Sequence, residues 1–124
     1  MFVISKTFKF SASHQLSNLP PEHQCSRLHG HNYTVEVVLA ADTLDERSFV
    51  VDYADLDPLK SFIDQYLDHR HLNDVMESQT SAENIARWLF EKSRGWFPET
   101  VAVRVSETPS TWAEFRDYGK AQVG

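Results

Sequence analysis

Three histidines and one cysteine are spaced so that they could do chemistry together. His29 and His31 flank Gly30 in "CSRLHGHNY", and Cys25, the sole cysteine, stands four residues before His29. In an extended strand, residues two apart point to the same side, so His29 and His31 face together. His14 ends an earlier alternating run that can pair with this one as a long hairpin, bringing a third imidazole alongside. Three neutral imidazoles leave one tetrahedral position of Zn²⁺ open, the arrangement of a catalytic rather than a closed structural site. Gly30 permits close backbone approach at the strand mouth. A nearby cation favours the thiolate form of Cys25, available as base or nucleophile. The same sulfur could instead be a fourth ligand that closes the site.

Other groups could supply protons or anchor a ligand. Glu107 ends "VAVRVSE" and shares strand parity with Val101, Val103 and Val105, so it falls on the apolar face. A carboxylate there needs a partner, and a guanidine-like ligand edge would offer a bidentate one; the alternative is a frayed strand end turned to water. Asp68 beside His69 allows a carboxylate to orient or charge an imidazole. "LDHRHLND" reads as the close of a helix, where His69 and His71 do not share a face and so are not expected to share a metal. His23 reads as a solvated loop residue.

The elements that must position these groups follow from hydrophobic period. Phe2, Ile4, Phe8, Phe10 and Ala12 stand at even positions, a strand over 2–14 that carries His14 on the same parity. "LSNLPPEHQ" is a loop, and "HNYTVEVVLAA" is a second strand from His31 to about Ala41. In "DPLKSFIDQYLDHR", Leu59, Phe62, Ile63, Tyr66 and Leu67 have helical spacing, with Asp57 as cap and Pro58 in the first turn. "TSAENIARWLFEKSRGWFP" is a second helix, opened by a capping box of Thr80 and Glu83 and stopped by Gly95 and Pro98. "TVAVRVSE" and "TWAEFRDY" are two further strands around a turn at 108–110. The order β-β-α-α-β-β predicts an α+β fold, an antiparallel sheet with both helices on one face.

Composition bounds the rest. The 124 residues are read as one domain, 1–124, and 41% hydrophobic with 12% aromatic residues is the composition of a folded chain. A net charge of −6 argues against nucleic acid or an anionic membrane as partner. The lone cysteine suits a reducing cytoplasm, and "MFVISKTFKF" lacks the apolar core of a signal peptide. No apolar run approaches a membrane span.

"FSASH", "CSRLHGHNY", "VVDYADL", "LDHRHLND" and "SETPSTWAEF" together resemble the 6-pyruvoyltetrahydropterin and 6-carboxytetrahydropterin synthase family, from about Phe2 to Tyr118. The resemblance implies the tunnelling fold, in which β-β-α-α-β-β protomers join their sheets into a trimeric barrel. Two trimers usually stack as a hexamer, with active sites between subunits. It implies one zinc ion per subunit on His14, His29 and His31, with Cys25 as the proton-abstracting thiolate. His69, charged through Asp68, would donate the complementary proton. Glu107 would anchor the pterin's 2-amino and ring N–H edge and also count among the catalytic residues through the charge relay, and Ser81 and Thr108 would help line the pterin pocket. Only Ser26, Arg27 and Leu28 separate Cys25 from His29, the spacing of the carboxy branch; the pyruvoyl branch has five residues there. That branch converts 7,8-dihydroneopterin triphosphate to 6-carboxy-5,6,7,8-tetrahydropterin, releasing acetaldehyde and triphosphate, and feeds 7-deazapurine (queuosine) synthesis. The triphosphate would meet Arg27, with Lys6 or Lys9 of a neighbouring subunit as further candidates. One departure stands out: where the family's second helix commonly opens Pro-Thr, this chain has Thr80-Ser81.

Overall fold

Strand parity in the first forty residues sets the architecture. Phe8, Phe10, Ala12 and His14 are buried on one side of β1 (Phe2–His14), and Tyr33, Val35, Val37 and Leu39 on the same side of β2 (His29–Ala41). In the computed structural model, which describes residues 1–117 and Gly119, these two strands pair antiparallel along their whole length. The register sets His14 opposite His29 and Ala12 opposite His31. β2 therefore begins at His29 rather than His31, and the whole His-Gly-His motif lies in regular strand.

The chain continues through α1 (Asp57–Tyr66), β3 (Arg70–His71), α2 (Ala82–Trp96), β4 (Thr100–Thr108) and β5 (Thr111–Arg116). The sheet order is β3-β1-β2-β4-β5. Both helices cover one face. Leu59 and Ile63 of α1 and Ile85, Leu89 and Phe90 of α2 form one core with Phe8, Phe10, Val35, Val37, Val103 and Val105. That apolar contact holds the sheet flat against the helices and so fixes the hairpin that carries the histidines. Among the described residues, no helix is long and apolar enough to cross a membrane.

The α+β class matches expectation, as does the element order apart from the short β3 between the helices, and several local readings need correction. The sheet is not purely antiparallel, because β3 pairs parallel with β1 at Ala12 and Ser13. The helix expected to run to Arg70 ends at Tyr66, with Leu67 as C-cap, and His69 turns left-handed at φ 58. Asp57 is the first helical residue rather than the cap; Asp52 instead caps the preceding 3-10 turn by accepting from the Ala54 N–H. Thr80 does not cap α2. It is fully buried, and Ser81 accepts from the Asn84 N–H in its place. Gly95 lies inside α2, whose C-cap is Phe97. Tyr118, expected as the last residue of the final strand, lies outside the described residues.

Candidate metal centre and its cleft

β1 and β2 place His14, His29 and His31 so that one nitrogen from each lies within 4.8 Å of the others. The rings meet edge to face, with centroids 4.5 to 5.1 Å apart. His14 is 1% exposed, while His29 and His31 are half-buried. Two of the outer nitrogens are committed. His14 Nδ1 lies 2.7 Å from the Thr80 carbonyl oxygen, and His29 Nδ1 lies 2.7 Å from that of Arg27. A carbonyl only accepts, so both Nδ1 atoms carry their protons and both Nε2 atoms present lone pairs. Those two Nε2 atoms face each other at 2.9 Å. Two lone pairs at that distance repel unless a cation sits against both. The edge of a tetrahedron with bonds of about 2.05 Å is roughly 3.3 Å, so a small rotation of either ring accommodates a metal. The donor set fits a divalent metal ion.

Burial sets the protonation states in the same direction. It holds the His14 pKa below the ordinary imidazole value, while the Thr80 carbonyl pulls the other way and the neighbouring imidazoles add to the lowering. A neutral imidazole is the ligating form. Gly30 stands opposite Ser13 on β1, and a Cβ there would sit 3.2 Å from the Ala12 carbonyl oxygen. The close strand contact between the two flanking histidines therefore favours glycine.

Glu107 joins this cluster. A register shift in β4 between Val105 and Thr108 accompanies the turn of its side chain toward the histidines. Its Oε2 lies 3.4 Å from His14 Nε2 and 3.6 Å from His31 Nε2. Burial pushes the Glu107 carboxyl up, and His31 and His29 pull it partly back. Tyr33 was not singled out from the sequence. It stacks on Phe10 at 4.7 Å, meets His31 edge-on at 5.5 Å, and buries a hydroxyl with no hydrogen-bond partner. Burial and the charge of Glu107 both push that phenol's pKa up, so it stays protonated. Its position two residues after His31, on the same strand face, was the available signal.

Asp68 and His69 are built by a backbone clamp. The Ser11 N–H donates to Asp68 Oδ1 at 2.9 Å, and the His69 N–H donates to the Ser11 carbonyl at 2.6 Å. Asp68 Oδ2 then lies 3.0 Å from His69 Nδ1, and the imidazole is 82% exposed. The Ser11 N–H, with His69 next, holds the Asp68 carboxyl below the usual carboxylate range. The pair is thus an ionised carboxylate backing an accessible imidazole.

Cys25 lies in a 3-10 turn, Gln24–Ser26, half-buried, and its N–H donates to His23 Nδ1 at 3.0 Å. His23 is thereby the cap of that turn rather than a free loop residue. The cysteine sulfur is outside the group of donors that converge within 4.8 Å, so the fourth-ligand arrangement is absent. Arg27 contributes its carbonyl to His29, and its side chain is exposed. Ser81 is occupied as the cap of α2. Thr108 lines a cavity of about 860 Å³ together with Glu107, His31, Tyr33, Asp68 and Lys9. The structure therefore gathers His14, His29, His31, Glu107, Asp68, His69 and Thr108 at one end of the sheet. Cys25, Ser81 and Arg27 are not part of that cavity's lining.

Comparison with known proteins identifies the family and the fold. The chain is 40% identical over 128 residues to the Synechocystis protein named 6-carboxy-5,6,7,8-tetrahydropterin synthase, covering 93% of each chain. It is 31% identical over 130 residues to the Bacillus subtilis protein of the same name, covering 93% of this chain and 85% of that one. The structure of Caenorhabditis elegans 6-pyruvoyl tetrahydropterin synthase superposes with a TM-score of 0.82 at 26% identity, covering 94% of this chain and 95% of that one. Residues 3–118 match the family model described as 6-pyruvoyl tetrahydropterin synthase, and this chain belongs to that family.

Proposed function

We propose that this protein is a 6-carboxy-5,6,7,8-tetrahydropterin synthase, a lyase that converts 7,8-dihydroneopterin triphosphate to 6-carboxy-5,6,7,8-tetrahydropterin, acetaldehyde and triphosphate. The observation that carries this reading is the short motif Cys25-Ser-Arg-Leu-His29-Gly-His31, which joins a thiol on a turn to a three-histidine donor set. Relatives at 40% and 31% identity that bear this name support the same branch.

In this reading His14, His29 and His31 hold one Zn²⁺, and the bound ion supplies Lewis acidity to the hydroxyls of the substrate side chain. The chain's own residues do the rest. Glu107 accepts the 2-amino and ring N–H edge of the pterin, a bidentate pairing that a half-buried carboxylate favours. Cys25 removes a side-chain proton as thiolate. His69 delivers a proton from the opposite side, with Asp68 stabilising its cationic form across 3.0 Å. Thr108 lines the pterin end of the cavity; Arg27 acts through the carbonyl that holds His29 and Ser81 through the cap that starts α2. The protein is cytoplasmic in this reading and works as a trimer-based hexamer in 7-deazapurine synthesis.

Incubation of metal-loaded protein with 7,8-dihydroneopterin triphosphate tests the assignment. Acetaldehyde formed in equal amount to released triphosphate is the expected result. Triphosphate release with no acetaldehyde, leaving the three side-chain carbons on the ring, overturns it in favour of the pyruvoyl reaction.

A further inference from the structure

Among the described residues, three buried side-chain atoms have no hydrogen-bond partner: the Tyr33 hydroxyl, Arg104 Nε and Glu114 Oε2. The last two belong to a chain of ion pairs, with Arg104 Nε 3.5 Å from Glu114 Oε1 and Arg116 Nη2 against Glu114 Oε2. Of the three, only the Tyr33 hydroxyl has neither a hydrogen bond nor an ion pair. A buried hydroxyl left unpaired costs the fold, and a phenylalanine in the same place would avoid that cost.

Packing fixes where that hydroxyl points. Tyr33 is stacked on Phe10 with ring planes 9° apart, and His14 and His31 close on it edge to face at 6.1 and 5.5 Å. It lines the cavity that Glu107 and Thr108 also line. Glu107 lacks what Tyr33 offers. Its Oε2 lies 3.4 Å from His14 Nε2, which presents a lone pair, and 3.6 Å from His31 Nε2, beyond hydrogen-bond length. Neither nitrogen can donate to the carboxylate once it ligates a metal. The carboxylate is close enough for its charge to act on the phenol, where it adds to burial in keeping the proton on oxygen. A donor without an acceptor and an acceptor without a donor therefore stand in one cavity wall.

We propose that Tyr33 is the positioning residue for Glu107: with ligand bound, its hydroxyl donates to that carboxylate, directly or across one water, and sets the carboxylate plane against the incoming N–H edge. This rests on the pterin ring assigned above to Glu107 and adds what orients the carboxylate. Each carboxylate oxygen accepts more than one hydrogen bond, so the phenol holds Glu107 while both oxygens still take the ligand's 2-amino and ring N–H groups. The bond forms as ligand and carboxylate come together; in this structure the carboxylate rests against the histidines instead. A bidentate pairing depends on the orientation of the plane. Loss of the hydroxyl should therefore be felt by a ring that carries the 2-amino group and not by one without it.

The test compares Tyr33→Phe with wild type and with Tyr66→Phe, an exposed tyrosine on α1, in the metal-loaded protein. Calorimetric titration with 7,8-dihydroneopterin and with its 2-oxo counterpart, which lacks the amino group, reads the Glu107 edge apart from the other ring contacts. Wild type should prefer the 2-amino ring. Tyr33→Phe should weaken binding of that ring about tenfold, the weight of one hydrogen bond to a charged group, and leave the 2-oxo ring within about twofold. KM for the triphosphate substrate should rise in parallel, with kcat held within about threefold. Zinc content should not change, and Tyr66→Phe should alter neither affinity. An unaltered preference for the 2-amino ring in Tyr33→Phe overturns the proposal. An equal loss of both rings, the sign of damaged packing, does the same. A lowered urea midpoint of the ligand-free Tyr33→Phe protein overturns it too, because the hydroxyl would then already have a partner in the fold. If wild type shows no preference between the rings, the pterin reading fails and takes the proposal with it. A preference lost only in Tyr33→Phe stands whether or not acetaldehyde is the product, so the two readings fail separately.

Discussion

Truncating His29 and, separately, Cys25 distinguishes holding the metal from using it. His29 is the cleaner ligand to remove. It is half-buried at the start of β2, whereas His14 is 1% exposed and its loss would also open a cavity. A four-ligand zinc site releases about 10–16 kcal/mol, roughly 3 kcal/mol per ligand if shared evenly. At about 1.4 kcal/mol per factor of ten, His29→Ala should weaken zinc by about 10²- to 10³-fold. Some affinity survives, because the Thr80 carbonyl still holds the His14 ring with its Nε2 lone pair turned inward. Cys25→Ala should leave zinc affinity within about threefold and lower turnover by about 10²-fold or more, the usual weight of a lost acid–base group. Competition against a chromogenic chelator measures the first quantity and acetaldehyde release the second. Wild-type zinc affinity in His29→Ala, or equal zinc loss in both variants, would refute the three-histidine account.

Four other outcomes are expected. Tyr33→Phe removes a buried hydroxyl that has no partner and should stabilise the protein by about 1 kcal/mol in urea unfolding. Gly30→Ala should destabilise by roughly 1–3 kcal/mol and weaken zinc, because its Cβ would press on the Ala12 carbonyl oxygen at 3.2 Å. Ser81→Ala should cost about 1 kcal/mol through the lost cap of α2, with no effect on zinc content. In metal-free protein the stability should rise with pH between the lowered His14 value and 6.5, because the unfolded chain binds a proton there that the buried ring does not. Glu107 opposes this: its raised pKa makes the fold hold a proton above 4.5 that the unfolded chain releases, so Glu107→Gln should steepen the rise.

The histidine cluster was legible in the sequence because everything that builds it is periodic. Even parity through Phe8, Phe10 and Ala12 carries His14 to the helix-covered face, and odd parity through Tyr33, Val35 and Val37 carries His29 and His31 there too. One antiparallel register then suffices to bring the three rings together. The helix caps were less legible because neighbouring polar residues compete. Thr80 and Ser81 both suit the position. The carbonyl and hydroxyl of Thr80 are drawn to His14 Nδ1, at 2.7 and 3.3 Å, and that leaves the cap to Ser81. The departure from Pro-Thr at this helix start therefore keeps both roles, a carbonyl for His14 and a hydroxyl for the cap.

β3 was invisible for a different reason. A two-residue strand has no period, and "LDHRHLND" continues the helical pattern of α1 well enough to hide the break. What ends the helix is tertiary: Ser11, on the edge of β1, offers both an N–H and a carbonyl, and Asp68 and His69 satisfy them better than another helical turn could. The cost is a left-handed His69 at φ 58, a conformation that a non-glycine residue holds only when its surroundings fix it. The return is placement. The same two bonds set Asp68 behind an exposed His69 imidazole and start β3, Arg70–His71, alongside Ala12 and Ser13 of β1. The Asp68–His69 pair and β3 therefore share one support, and loosening the Asp68 clamp should disturb both together while leaving the histidine trio on β1 and β2 intact.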